Sequence, residues 1–217
     1  MSIRAEIDKI FESRAFERPL FYSYPGGLRF ELSEGGTEIE QLLCSITKAA
    51  RVCEDIFDES HPPTLCLRMR AKENGFAHRK ELRKLHNAGL KPPKVRSIWL
   101  EPVPEDDRFD EGAEEWWLNV AFELPANRLK NALWCALSVD LGPIRPKPAC
   151  LVYLFNLARG VVVFPYDDRG MDVVGPNVDF LRALYLKHYS VLLSYDLASM
   201  QETFGAPSNN SLQGRRP

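Results

Sequence analysis

Histidine is scarce in this chain: there are four, His61, His78, His86 and His188, and none stands in an H-x-H or H-E-x-x-H spacing. A zinc site is therefore not signalled. The five cysteines, Cys44, Cys53, Cys66, Cys135 and Cys150, are odd in number, never spaced C-x-x-C, and set in apolar stretches. That pattern speaks against a disulfide framework and for reduced, buried thiols. On one helix Cys44 and Cys53 would project from opposite sides, so they do not pair with each other. No uninterrupted apolar run approaches a membrane span, and the acid-containing start MSIRAEIDKIF lacks the apolar stretch of a signal peptide. The expectation is a cytoplasmic protein with no membrane partner and no cofactor.

What is present is an ordinary globular balance. Of 217 residues, 45% are hydrophobic and 27% charged, and a chain of this length buries roughly 70% of its unfolded surface. The periodicity predicts a helix from Ser2 to about Phe16, a hairpin around Pro25-Gly26-Gly27, and a helix opened by a Thr37/Glu40 capping box. The apolar stripe of that second helix is Ile39, Leu42, Leu43, Ile46, Ala50, Cys53 and Phe57. Strands follow at TLCLRMR, VRSIWLEPV and EEWWLNVAFELP. Two more helices are expected, one closed by Gly89 and one running from Asn127 to Gly142. After the proline-rich GPIRPKP, the stretch ACLVYLFNLARGVVVFPYDDRGMDVV reads as a β-meander, followed by a long closing helix from Asn177 to about Phe204. The fold class is α+β: a mixed, mainly antiparallel sheet with helices on one side. The organisation is an amino-terminal α+β portion, 1–142, a carboxy-terminal meander-helix unit, 149–205, sharing its core, and a disordered tail, 206–217.

Charge is unevenly spread. From Arg68 to Arg96 there are ten Lys/Arg against two acids, whereas from Glu105 to Glu115 seven acids face one arginine. The basic stretch, with Arg79, Lys80, Arg83 and Lys84 on a short helix, has the charge for phosphate contact but not the interleaved aromatics of a base-stacking surface. The acidic segment has the charge to cover a basic site on a partner protein: Glu105, Asp106, Asp107, Asp110, Glu111, Glu114 and Glu115. The bland alternative is that the two segments neutralise each other or form solvated faces.

The densest charge lies in FPYDDRGMDVVG, where Tyr166, Asp167, Asp168, Arg169, Gly170 and Asp172 fall within seven positions. As a hairpin, it needs Asp167 to bond the backbone two residues on and Gly170 to take a left-handed position, with Asp172 turned outward on the returning strand. Arg169 is placed to pair with Asp167 or Asp172. A metal-dependent hydrolase reading instead requires Asp167, Asp168 and Asp172 to converge, usually with histidines.

The run VYLFNLARGVVVFPYDDRGMDVVGPNVDFLRALYLKHYSVLLSYD resembles the carboxy-terminal signature of a bacterial family, domain of unknown function thirty-eight eighty-five. GGLRFEL and the helix ending in CEDIFDE resemble that family less specifically. Asn156 departs from it, standing where many members have an acid. The resemblance implies no transferable activity. Some members look like immunity proteins encoded beside polymorphic toxins, which implies a non-enzymatic protein with a cognate toxin as partner. Three expectations follow: a protein-binding immunity protein contacting its partner through the acidic segment, a hydrolase built on the three aspartates, and a nucleic-acid-associated protein using segment 68–96.

Overall fold

A computed structural model describes residues 2–71, 76–108 and 114–205, the side chains of 76–78 and 106 excepted. The tail 206–217, and Asp110 and Glu111 of the acidic segment, lie outside the described residues. In chain order the elements are α1 (Ile3–Ile10), α2 (Leu20–Ser23), β1 (Gly27–Glu31), α3 (Glu38–Ile56), β2 (Thr64–Ala71), α4 (Phe76–Asn87), β3 (Ser97–Pro102), β4 (Trp116–Glu123), α5 (Leu129–Leu137), β5 (Leu151–Asn156), β6 (Val161–Asp167), β7 (Gly170–Val174), α6 (Val178–Lys187) and α7 (Leu197–Phe204).

The strands form one sheet, ordered β1-β7-β6-β5-β2-β4-β3, in an α+β fold. Every ladder among them is antiparallel, so the sheet is not mixed. The reason lies in the crossovers. The helical connections β1-α3-β2, β2-α4-β3 and β4-α5-β5 each join strands that are not neighbours; one strand stands between the joined pair in the last two and three in the first, each antiparallel to its neighbours. β5 bonds directly to β2, from Thr64↔Phe155 to Arg68↔Leu151, so strands from both sides of the proline-rich segment 142–148 share the sheet.

Both faces are covered, rather than one. Leu65, Leu67 and Met69 of β2 enter the larger core with α3 and α5, while Cys66, Tyr153, Phe155 and Phe164 face Ile7, Phe11, Ala15 and Leu20. The amino-terminal segment makes that second layer because α1 stops early. Its first turn is capped by Ser2, whose Oγ accepts from the Ala5 N–H at 3.2 Å, but Glu12 and Ser13 take φ of 53° and 62° and end it well before Phe16. Phe16 then packs edge-on against Tyr153 at 5.0 Å. The expected hairpin at Pro25-Gly26-Gly27 is absent: α2 precedes it, and β1 pairs with β7.

In α3 the capping box forms: the Glu40 N–H donates to Thr37 Oγ1 at 3.4 Å and the Thr37 N–H to Glu40 Oε2 at 2.9 Å. Leu42, Ala50, Cys53 and Phe57 are buried, but Ile39 and Leu43 are exposed, so the stripe is narrower than its period suggested. Cys44 is also exposed, unlike the other four thiols. Burial pushes Cys53 and Cys135 up to about 12, which keeps them protonated. α4 closes at Gly89 as expected (φ 81°), whereas α5 follows a 3₁₀ turn at 126–128 without a side-chain cap from Asn127 and ends at Leu137.

The closing helix is divided into α6 and α7 by 3₁₀ turns at 189–191 and 194–196. The break follows from the free edge of β1. Leu192 bridges to Phe30, and the Leu193 N–H donates to the Arg29 carbonyl at 2.8 Å, which a continuous helix would forbid. Leu181, Leu184 and Tyr185 are buried, but α6 packs beside β1 and α7 while α5 lies on β5 and β6, and Tyr195 turns to solvent.

Candidate functional site

The acidic turn is a two-residue hairpin loop. Asp167 and Gly170 pair across it, and Asp168 and Arg169 form the loop. Asp167 Oδ1 accepts the Arg169 N–H at 2.8 Å, the side chain-to-backbone bond expected of an aspartate at a turn entry. Its Oδ2 accepts from Arg169 Nε at 3.0 Å and also from the other end of the guanidinium fork. Gly170, however, is not in the left-handed region. Glycine is required because the Tyr166 ring folds over it: an added Cβ would stand 1.8 Å from the Tyr166 hydroxyl oxygen. The loop is also tied to α3 and its lead-in. Ser33 Oγ donates to Asp168 Oδ2 at 3.2 Å, and Ser45 Oγ donates to the Asp168 carbonyl. Burial raises the Asp168 pKa above the ordinary value, and the Ser33 bond opposes the shift in part.

Asp172 corrects the expectation of an outward carboxylate. It is 1% exposed. The strand alternation was right, but the face to which it sends Asp172 is roofed by the amino-terminal segment. Asp172 Oδ1 accepts from Arg29 Nε at 2.7 Å, and Oδ2 accepts from Arg29 Nη2 and the Phe21 N–H, each at 3.1 Å. Arg29 lies directly across the β1–β7 ladder from Asp172 and also donates to Asp196 Oδ2 at 3.3 Å, while Tyr22 Oη donates to Asp196 Oδ1 at 2.8 Å. The guanidinium sits over the rings of Tyr22, 4.7 Å away, and Phe21, 5.0 Å away. Burial pushes Asp172 up from the usual carboxylate value, opposed by Arg29. Burial also works against the charge of Arg29, but its bonds to Asp172 prevail and hold it more firmly protonated than a free arginine. Each aspartate thus has its own partners, and among the described residues no group of three or more His, Cys, Asp or Glu side chains is arranged to hold a metal ion.

The turn forms one wall of a cleft of about 560 Å³. Tyr166, Asp167 and Asp172 line it with Arg29, Arg18 and Asp140, and Asp107 comes from the acidic segment. Two aspartates, Asp167 and Asp172, are bound by Arg169 and Arg29. Arg169 also lies 3.9 Å from the exposed Asp140. Elsewhere in the acidic segment Glu105 and Glu114 are exposed, but Glu115 pairs with Arg70 at 2.5 Å. Arg68 pairs with Glu101 at 3.2 Å and Lys84 with Glu81 at 2.9 Å, so part of the basic excess is neutralised internally.

The family described as Domain of unknown function (DUF3885) matches residues 3–196. The chain belongs to this family. The DUF3885 match takes in β1 with Arg29, the turn with Asp172, and Asp196 at its last position, so the buried ion-pair chain lies wholly inside it. None of the curated proteins and none of the solved structures compared gives a significant match. Sequence reasoning missed Arg29, Asp196, Tyr22, Arg18 and Asp140. Arg29 alone left a sign, as a cation between two apolar residues of the GGLRFEL strand.

Proposed function

We propose that this protein is a non-enzymatic, cytoplasmic binding protein whose acidic cleft receives basic side chains of a protein partner, and that the partner is a cognate bacterial toxin which it neutralises. One observation carries the reading: Asp107 of the acidic segment and Asp140 stand in the cleft beside Asp167 and Asp172, whose charges are already compensated by Arg169 and Arg29. Four aspartates against Arg18, Arg29 and Arg169, the last of which pairs with Asp167 at the cleft wall, leave a formal excess of one negative charge, a potential that steers a cationic surface toward it. The immobilised carboxylates of Asp167 and Asp172 favour a recognition surface over an acid/base centre, which needs a group free to exchange a proton with substrate. Free, mostly buried thiols suit a reducing compartment.

The test is calorimetry with the toxin encoded beside this protein, together with growth protection of cells expressing that toxin. A complex is expected, and Asp107→Asn/Asp140→Asn should weaken it at least tenfold at low salt without lowering the melting temperature. No complex and no protection would remove the proposal.

A further inference from the structure

The two edges of the sheet are finished differently. The outer side of β1 is met by residues 192–193, whereas β3 bonds only to β4, and among the described residues no other segment donates to or accepts from the backbone of 97–102. An uncovered edge strand is a template for another strand, and natural sheets usually blunt it. Here Glu101 lies on one side of β3, and the other, its α4 side, carries no charged side chain of the strand. Ile98 and Leu100 alternate there at 54% and 53% exposure, above a groove of about 460 Å³ whose apolar floor includes Met69, Leu118 and Val120 and which is bounded by α4. Arg83, His86, Lys91 and Arg96 rim this groove, and no acidic side chain lines it among the described residues.

We propose that β3 is a docking edge for an extended segment of a partner protein, a short apolar strand flanked by acidic residues, which adds an eighth strand to the sheet. Backbone bonds to β3 supply the pairing, alternate apolar side chains enter the groove beside Ile98 and Leu100, and the flanking carboxylates meet Lys91 and Arg96. The rim disfavours a second copy of this chain as occupant, because self-pairing would set Arg83, Lys91 and Arg96 against the same cations. The groove lies on the α4 side of the sheet and the acidic cleft on the other, so this edge is independent of the proposed toxin-binding surface.

The probe is a fluorescein-labelled peptide with alternating valine and threonine between paired glutamates, titrated by anisotropy at low salt. Binding in the micromolar range is expected. Lys91→Glu/Arg96→Glu should weaken it at least tenfold with an unchanged melting temperature, since both residues are exposed. N-methylation of alternate peptide nitrogens on the pairing side should abolish it, and Asp107→Asn/Asp140→Asn should leave it intact. Absence of binding, equal binding of the N-methylated peptide, or equal binding of a lysine-flanked peptide would each overturn the proposal. So would sedimentation of the protein as a dimer that Leu100→Lys converts to monomer, because the occupant would then be a second copy.

Discussion

At the β1 end of the sheet, Asp172, Arg29 and Asp196 form a buried chain of charge beside the amino-terminal segment, to which the exposed Tyr22 donates from outside, whereas at the β3 end Lys91 and Arg96 stand in solvent around half-exposed Ile98 and Leu100. Both ends carry strong charge, but burial gives it different work. A buried ion pair specifies one arrangement of the elements that meet on it, here β1, β7, α2 and the start of α7. Exposed charge beside apolar surface holds nothing in place and is available to a partner.

The largest effect should come from breaking the buried pair. Arg29→Met leaves Asp172 and Asp196 without their cation and is expected to cost about 3–5 kcal/mol in urea denaturation, with Arg29→Met/Asp172→Leu recovering most of the loss. A loss under about 1 kcal/mol would mean that the pair is less sealed than Arg29 and Asp172 appear in the fold. Next is Gly170→Ala, which forces the Tyr166 ring aside and should destabilise by about 1–3 kcal/mol. Adding Tyr166→Ala should make the two changes non-additive in a double-mutant cycle.

A smaller effect concerns Asp168. Its folded pKa is raised above the ordinary 3.8, so the fold is favoured while the carboxyl is protonated, and that advantage is lost as pH rises through the folded value. Asp168→Asn should therefore melt higher than the parent at pH 7 and lose that advantage below the unfolded pKa. The opposite trend would show Asp168 acting as a needed anion. Smallest of all, Ile98→Thr on the open edge should change stability by less than about 0.5 kcal/mol, measured by the same denaturation, in contrast to Arg29→Met at the sealed edge.

Much of the architecture was legible because it rests on local rules. The Thr37/Glu40 capping box, the Gly89 stop, the β5-β6-β7 meander and the Asp167 side chain-to-backbone bond each depend on residues within a few positions of one another. The errors came where a distant segment intervened. Alternation along β7 put Asp172 opposite Met171 and Val173, and only the roof made by residues 11–24 turned that side into an interior. The turn sequence marks Gly170 as necessary, but the cause is the Tyr166 ring and not a left-handed turn. The closing helix kept its period through α6 until the exposed edge of β1 drew out Leu192 and Leu193.

By itself, then, the sequence determined most of the elements, the Thr37/Glu40 cap, the Gly89 stop, the acidic turn, the α+β class and the segregation of charge, since these follow from side-chain period and short-range hydrogen bonding. The tertiary structure alone decided that Arg29 meets Asp172 from 143 positions away, that Asp107 joins the acidic turn in one cleft, and that one sheet edge is met by residues 192–193 while the other is met by no further segment among the described residues. Those pairings depend on strand order and on which face the amino-terminal segment covers, and no spacing along the chain encodes either.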